Sequence, residues 1–218
     1  MSDEARGAVQ APQSLTQAER TAISDRAMLD AAIDLVLEHG PEKTTLAMIG
    51  ERAGYSRGLA TYRFGSKAGL FDALCKSIGR SWLEYLKCGT EGKTGIDAMC
   101  SALDTVYKWV TDSPKEARVL QILHCGSASP GSEFQETSVG IHRRQLSDVV
   151  EWVKGGQADG QVRSDVDAQA IAAEYVAYTS GISFLWLLSA ETFDFKNANN
   201  AMKHYLRTSL SPQLQEQS

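Results

Sequence analysis

Apolar residues recur every three or four positions along most of the chain, which is the period of an amphipathic helix. They mark a first helix from Ile23 onward, and Gly40 followed by Pro41 ends it. Later apolar patterns are separated by turn-forming stretches, and no segment alternates as a strand would. The further predicted helices run over about 46–53, 57–64, 67–87, 96–111, 114–125, 131–154, 165–189 and 197–210, so the fold is predicted to be all-α.

The second and third predicted helices are short and closely spaced. Thr45 can cap the second and Gly54 ends it, while Ser56 can cap the third and Gly65 ends it. Two helices joined by a short glycine-containing turn are typical of the helix-turn-helix, whose second helix enters the major groove of DNA. We therefore expect an N-terminal three-helix helix-turn-helix domain at 19–66, followed by an antiparallel helical domain at 67–211. A disordered tail is expected at 1–18 and a C-terminal tail at 212–218.

Positive charge is concentrated on the segment that contains the predicted turn. The whole chain has a net charge of -5, from 22 basic and 27 acidic residues. From Lys43 to Arg80 there are seven basic and two acidic residues, so this segment carries +5 and the rest of the chain carries -10. A basic segment on an acidic protein attracts phosphate locally. The pattern favours one nucleic-acid-binding surface and argues against binding over the whole protein.

Residues 44–70 contain a Thr cap, an apolar second helix, the turn A-G-x-S-x-G, an aromatic pair ending in Phe64, and S-K-x-x-L at the start of the fourth helix. This pattern resembles the DNA-binding module of the tetracycline-repressor (TetR) family of bacterial regulators. Leu59, Ala60 and Thr61 differ from the family's usual residues, and Gly50 replaces a common alanine. The rest of the chain agrees with the family in length and helical pattern. The resemblance implies a homodimeric regulator of transcription, in which the antiparallel helical domain at 67–211 is the ligand-binding and dimerisation domain.

Several residues of this motif have chemistry that suits DNA. The guanidinium groups of Arg57 and Arg63 fit guanine edges or phosphates, although an arginine on a solvated surface is the alternative. The resemblance implies that Lys67 and Tyr62 contact phosphate, and Thr45 can do so while capping its helix. The predicted DNA-binding residues are Thr45, Ser56, Arg57, Leu59, Ala60, Thr61, Tyr62, Arg63 and Lys67, of which Leu59, Ala60 and Thr61 are the candidates for meeting a thymine methyl group or base edge.

The helix predicted at 165–189 is apolar on all sides and must therefore be covered on all sides. The family resemblance implies that the last two long helices pair with their copies in a twofold dimer. Such a dimer would present two helix-turn-helix domains, called the heads below, to the two halves of a palindromic operator. The alternative is a central helix of a monomer. The predicted interface residues are Ala173, Val176, Ala177, Ser180, Phe184, Leu187, Met202 and Leu206.

The resemblance also implies a cavity for a small-molecule effector among the later helices. Side chains with apolar bodies and polar tips suit the walls of such a cavity, and ordinary core packing is the alternative for each of them. The predicted effector is a small apolar or amphipathic molecule. Its predicted contacts are Trp109, His124, Phe134, His142, Tyr175 and Tyr178, with Trp152 beside them.

Other chemistry is expected to be absent. The histidines lack metal-ligand spacing, and His124 and Cys125 would point apart on a helix, so no metal, cofactor or catalysis is expected. Without a signal segment or a bilayer-length apolar run, a cytoplasmic location is expected. The sequence thus predicts a ligand-responsive repressor. Two alternatives remain: a helical small-molecule-binding protein or enzyme that uses the C-terminal cavity without DNA, and an interaction protein whose helix-turn-helix binds another protein.

Overall fold

The computed structural model describes residues 15–129, 132 and 135–212, and this part of the chain is built from helices without any strand. The all-α prediction is confirmed. The helices are α1 (Gln17–Lys43), α2 (Leu46–Arg52), α3 (Arg57–Phe64), α4 (Lys67–Thr90), α5 (Gly95–Asp112), α6 (Pro114–Ser127), α7 (Gln135–Ala158), α8 (Ala168–Ser189) and α9 (Phe195–Leu210).

The first helix begins earlier than the apolar pattern predicts. The hydroxyl of Thr16 accepts from the backbone N–H of Glu19 at 3.2 Å, and the Glu19 carboxylate accepts from the Thr16 N–H at 2.7 Å. This capping box satisfies two free N–H groups, so the helix starts at a polar stretch that has no apolar signal. The expected tail at 1–18 therefore extends too far, because residues 17 and 18 already belong to α1. Residues 1–14 and 213–218 lie outside the described part of the chain.

Two clusters of buried side chains hold the helices together. The first contains Met28 of α1, Ile49 of α2 and Phe71 of α4, and it continues into α5 and α6. The second is formed by α5, α7, α8 and α9, with Leu103 and Val153 fully buried in it. Because α5 contributes to both clusters, the helix-turn-helix is packed onto the same framework as the later helices.

The sixth helix joins the N-terminal helices to the rest of the chain. Its side chains Ala117 and Leu123 are buried in the cluster shared with α1. At its first turn, Lys115 Nζ lies 2.7 Å from Oδ1 of Asp34 on α1. A shift of α6 would therefore be transmitted to α1, because close-packed interiors resist independent movement of their parts.

Candidate nucleic-acid interface and internal cavity

A tight turn sets the angle between α2 and α3. Gly54 has a φ of +79°, a left-handed conformation that glycine adopts without strain. The backbone N–H of Tyr55 donates to the carbonyl of Gly50 at 2.8 Å, which folds the turn back onto α2. A Cβ atom at Gly50 would lie 2.8 Å from the carbonyl oxygen of Ser56, too close for a side chain. Glycine at position 50 thus allows the turn to lie directly against α2.

The starts of α2 and α4 are capped by the side chain that precedes each helix. Thr45 Oγ1 accepts from the N–H of Met48 at 3.2 Å, so its predicted capping role is observed. Ser66 caps α4 by accepting from the N–H of Gly69 at 3.0 Å. Ser56 stands at the start of α3 but makes no capping bond through its side chain, and it is exposed. Its hydroxyl is therefore open to an external partner.

The third helix exposes a polar and aromatic face. Arg57 and Thr61 are one turn apart and both exposed, and Tyr62 is 82% exposed. The guanidinium of Arg57 is paired with the carboxylate of Glu51, yet 76% of its side chain remains accessible. Surface ion pairs of this kind contribute little energy, so the arginine can exchange partners. This face has the donors and the aromatic ring that a DNA groove and its phosphates would contact.

Two predicted DNA contacts have other roles in the structure. Ala60 is fully buried in the first cluster, so the expectation that it meets a base edge is wrong, and neighbouring Leu59 is partly buried against the same cluster. Arg63 donates from Nε to Oδ1 of Asp25 at 2.8 Å, and a second bond joins its Nη2 to Oδ2. This forked pair fastens α3 to α1, and while it is closed Arg63 can contact DNA only through its remaining N–H groups.

Lys67 is held at the start of α4 beside the end of α1. Its Nζ donates to the carbonyl of Glu42 at 2.6 Å and lies 5.9 Å from the ring centre of Phe71. The ammonium group is thus fixed beside the end of α1, on a residue in the first turn of α4, whose N–H groups carry partial positive charge. Positive charge and free N–H groups together suit a phosphate.

A cavity of 390 Å³ lies among α4, α5, α6, α7 and α8. Its walls are largely aromatic and aliphatic, and the rings of Trp82 and Trp109 lie 5.2 Å apart, tilted by 52°. The predicted residues Trp109, His124, His142, Trp152 and Tyr175 all line it. A mostly apolar cavity of this size is typical of a small-molecule site.

One predicted effector contact lies away from the cavity, and the prediction missed part of the cavity wall. Tyr178 does not line the cavity; its hydroxyl donates to the carbonyl of Ala198 at 2.6 Å. Phe134 lies outside the described residues. The missed residues include Trp82 and Gln145. Trp82 is on α4, the helix that follows the helix-turn-helix. Its large aromatic side chain on an apolar helix is the sequence signal that could have identified it as a cavity residue.

His124 is a partly buried ionisable group on the cavity wall. Burial, reinforced by the neighbouring His142, lowers the pKa of His124 to about 4. The imidazole is consequently neutral at physiological pH. Among the described residues, no group of three or more His, Cys, Asp or Glu side chains is placed to hold a metal ion.

An exposed apolar face lies on α8 and α9. Leu188 is 65% exposed, and Phe184 and Leu185 on α8 and Tyr205 on α9 are exposed to 43–48%. By length and composition α8 could also cross a membrane, but one such helix is weak evidence, since core and interface helices share this composition. An apolar face of this kind marks a contact surface.

The predicted dimer residues divide between this face and the interior. Val176 and Leu206 are buried within the single chain, so they belong to its core and are not available to a partner. Ala173, Ala177 and Phe184 are exposed, and Ser180, Leu187 and Met202 are partly exposed.

Comparison with known proteins agrees with this geometry. Residues 28–74 match bacterial regulatory proteins of the tetR family, and residues 111–211 match the C-terminal region of BetI-type transcriptional repressors. The transcriptional regulator TtgR of Pseudomonas putida is 28% identical over 177 residues, which cover 77% of this chain and 81% of TtgR. The probable acrEF/envCD operon repressor of Escherichia coli is 23% identical over 188 residues, 83% of this chain and 84% of that protein.

Solved structures share the fold over most of the chain. A SmeT–triclosan complex superposes with a TM-score of 0.75 at 21% identity, covering 87% of this chain and 92% of SmeT. SmeT is the repressor of the Stenotrophomonas maltophilia multidrug efflux pump SmeDEF. The two matched regions together include the helix-turn-helix and the helices around most of the cavity. The chain belongs to the TetR family of DNA-binding bacterial transcriptional regulators.

Proposed function

We propose that this regulator is a homodimeric repressor that binds a palindromic operator and is released from it by a small, mostly apolar effector. The observation that carries the proposal is that an exposed helix-turn-helix and a large apolar cavity share one packed framework. The match to BetI-type repressors and the repressor relatives support the direction of regulation. The triclosan complex of SmeT supports an apolar effector. Such a protein acts on DNA in the cytoplasm, and its cavity binds a molecule without transforming it.

In this proposal α3 enters the major groove. Arg57 and Thr61 face the base edges from the exposed side of the helix, and Ser56 and Tyr62 contact the backbone with Lys67. Two heads spaced by about one helical turn of DNA, roughly 34 Å, would contact the two halves of a palindrome.

The sixth helix supplies a physical connection between the cavity and the head. Leu120 and His124 of α6 line the cavity, while Lys115 at the other end of the helix is paired with Asp34 of α1. An effector that moves α6 would therefore move α1 and change the spacing of the two heads. It can release the operator only to the extent that it binds the released state more tightly.

The first test is selection of bound duplexes from a random DNA pool by the purified protein, Arg57→Ala and Lys67→Ala. We expect a palindromic consensus from the wild type. Arg57→Ala is expected to relax one position in each half-site, at a cost of about 1–3 kcal/mol, because a base contact is lost. Lys67→Ala is expected to weaken all sequences alike, since a phosphate contact carries no sequence information.

The matched control for this selection is Lys154→Ala, which removes the same charge from an exposed position on α7. It is expected to leave both the consensus and the affinity unchanged. If no sequence is enriched at low salt, or if Lys154→Ala weakens binding as much as Lys67→Ala does, the proposed DNA surface is wrong.

The proposed dimer interface predicts a second result. Leu188→Asp should raise the dissociation constant of the dimer by about two orders of magnitude, because a carboxylate would be buried against the partner's apolar face. Sedimentation velocity over a concentration series measures this shift. Ile23→Asp on α1, another exposed apolar position, is the control and should leave the dimer intact. Equal sedimentation of wild type and Leu188→Asp would place the interface elsewhere.

A further inference from the structure

Three buried polar atoms at the cavity have no hydrogen-bond partner within the described part of the chain. They are Nε1 of Trp109 on α5, Nε2 of His124 on α6 and Oε1 of Gln145 on α7, and all three residues line the cavity. Buried polar atoms are nearly always hydrogen-bonded, because leaving one unpaired is costly. Three such atoms on three different helices around one cavity are therefore the groups that a bound molecule would satisfy.

The chemistry of these atoms defines what the molecule must carry. The indole N–H of Trp109 can only donate, and the amide oxygen of Gln145 can only accept. Nε2 of a neutral His124 can do either, according to its tautomer. A complementary molecule must therefore offer both an acceptor and a donor, and a hydroxyl group supplies both.

The walls around these atoms favour aromatic rings. Trp82, Trp109 and Trp152 line the cavity, and the first two form a tilted pair. Flat rings pack well against such surfaces in offset or edge-to-face arrangements. The volume of 390 Å³ is within the range of drug-sized sites, so two linked rings fit this space.

The charges at the cavity are already balanced. Arg144 and Asp148 are the arginine and carboxylate among the described lining residues, and Arg144 Nε donates to Asp148 Oδ1 at 2.7 Å. Burial keeps the pKa of His124 near 4, so that side chain adds no charge at neutral pH. Because the Asp148 side chain is only 17% exposed, an anionic ligand that displaced it from Arg144 would leave a largely buried carboxylate unpaired, which is unfavourable.

We propose that the cavity selects neutral aromatic molecules that carry a hydroxyl group, with the hydroxyl hydrogen-bonded to the indole N–H of Trp109 or the amide oxygen of Gln145. This inference rests on the proposed effector role of the cavity and specifies the chemistry of the effector. The rings supply the apolar contact, and the hydroxyl distinguishes these molecules from hydrocarbons of the same shape.

The test uses three probes of one shape: 4-hydroxybiphenyl, biphenyl and biphenyl-4-carboxylate. Three of the chain's four tryptophans line the cavity, so quenching of tryptophan fluorescence reports binding directly. We expect the wild type to bind 4-hydroxybiphenyl about 10-fold to 100-fold more tightly than biphenyl, and the carboxylate more weakly than the hydroxyl compound. Equal binding of the hydroxyl compound and biphenyl, tightest binding of the carboxylate, or no binding of 4-hydroxybiphenyl would overturn the proposal.

Two variants locate the hydroxyl contact. Trp109→Phe keeps a ring but removes the N–H, and Gln145→Met keeps the length but removes the amide. At least one of them should reduce the preference for the hydroxyl compound over biphenyl, measured in the same variant, to about threefold or less. Gln121→Met is the matched control, because Gln121 lines the same cavity but its Nε2 already contacts Cys125 Sγ at 3.7 Å. Full retention of the preference in both variants, with native circular dichroism spectra, contradicts the assignment.

Operator release measured in parallel distinguishes a failure of the hydroxyl selectivity from a failure of the effector role. Hydroxyl-selective binding that leaves the protein on its operator supports the cavity chemistry and contradicts the effector role under the proposed function. Release of the operator by biphenyl and 4-hydroxybiphenyl at equal concentrations does the reverse. It supports the effector role and overturns the hydroxyl selectivity.

Discussion

Replacing Phe71 by alanine is expected to lower the free energy of unfolding by about 3–5 kcal/mol. The side chain of Phe71 on α4 is fully buried in the first cluster, among residues from the helix-turn-helix and from α5 and α6. Its loss would leave a cavity at the junction between the head and the later helices. Because a typical domain is stable by only about 5–15 kcal/mol, this single change would remove a large part of the total. Urea denaturation followed by far-ultraviolet circular dichroism measures the loss.

The control for this prediction is Leu83→Ala on the same helix. Leu83 is 45% exposed, so truncating it removes less buried surface and should cost about 1 kcal/mol or less. If both variants lost similar stability, the two positions would be packed alike and the core described for α4 would be incorrect. If Phe71→Ala destabilised only the helix-turn-helix domain, the urea denaturation curve would show two separate unfolding transitions. That result would contradict a shared core.

Local chemistry explains why so many helix boundaries could be predicted. The start of α2 follows from Thr45, which caps it with its own side chain, and the start of α4 from Ser66 in the same way. Gly40 has a φ of +79° and interrupts α1 where the sequence places a break. Each of these signals acts within a few residues of the boundary it sets, so the sequence alone is enough to locate it.

The roles that could not be predicted depend on partners far away in the chain. Arg63 is paired with Asp25 on α1, 38 residues earlier, and no motif within the helix-turn-helix indicates that contact. Val176 and Phe184 lie on one helix that is apolar on every side, so periodicity could not tell its inner face from its outer face. The cavity wall, including Trp82, exists only once helices from distant segments pack together.

Operator affinity is expected to fall by roughly 10³-fold to 10⁵-fold when monovalent salt rises from about 50 to 200 mM, if the dimer makes about 6–10 phosphate contacts. The basic segment from Lys43 to Arg80 carries +5 on a chain of net charge -5, so binding must release counterions from DNA at the two heads. Fluorescence anisotropy with a labelled operator duplex measures the slope of log affinity against log salt. Lys67→Ala should make that slope shallower by about one for each head, because one phosphate contact is lost there.

The same salt series applied to the cavity provides an internal control. Binding of uncharged 4-hydroxybiphenyl involves no released counterions, so its affinity should change little over this range. A flat salt dependence at the helix-turn-helix would instead indicate that it binds another protein, since such contacts lack the condensed ions of DNA. A steep slope for DNA together with a flat one for the probe would separate the two surfaces physically. One surface would bind a polyanion through exposed charge, and the other would bind a neutral molecule through apolar contact and buried hydrogen bonds.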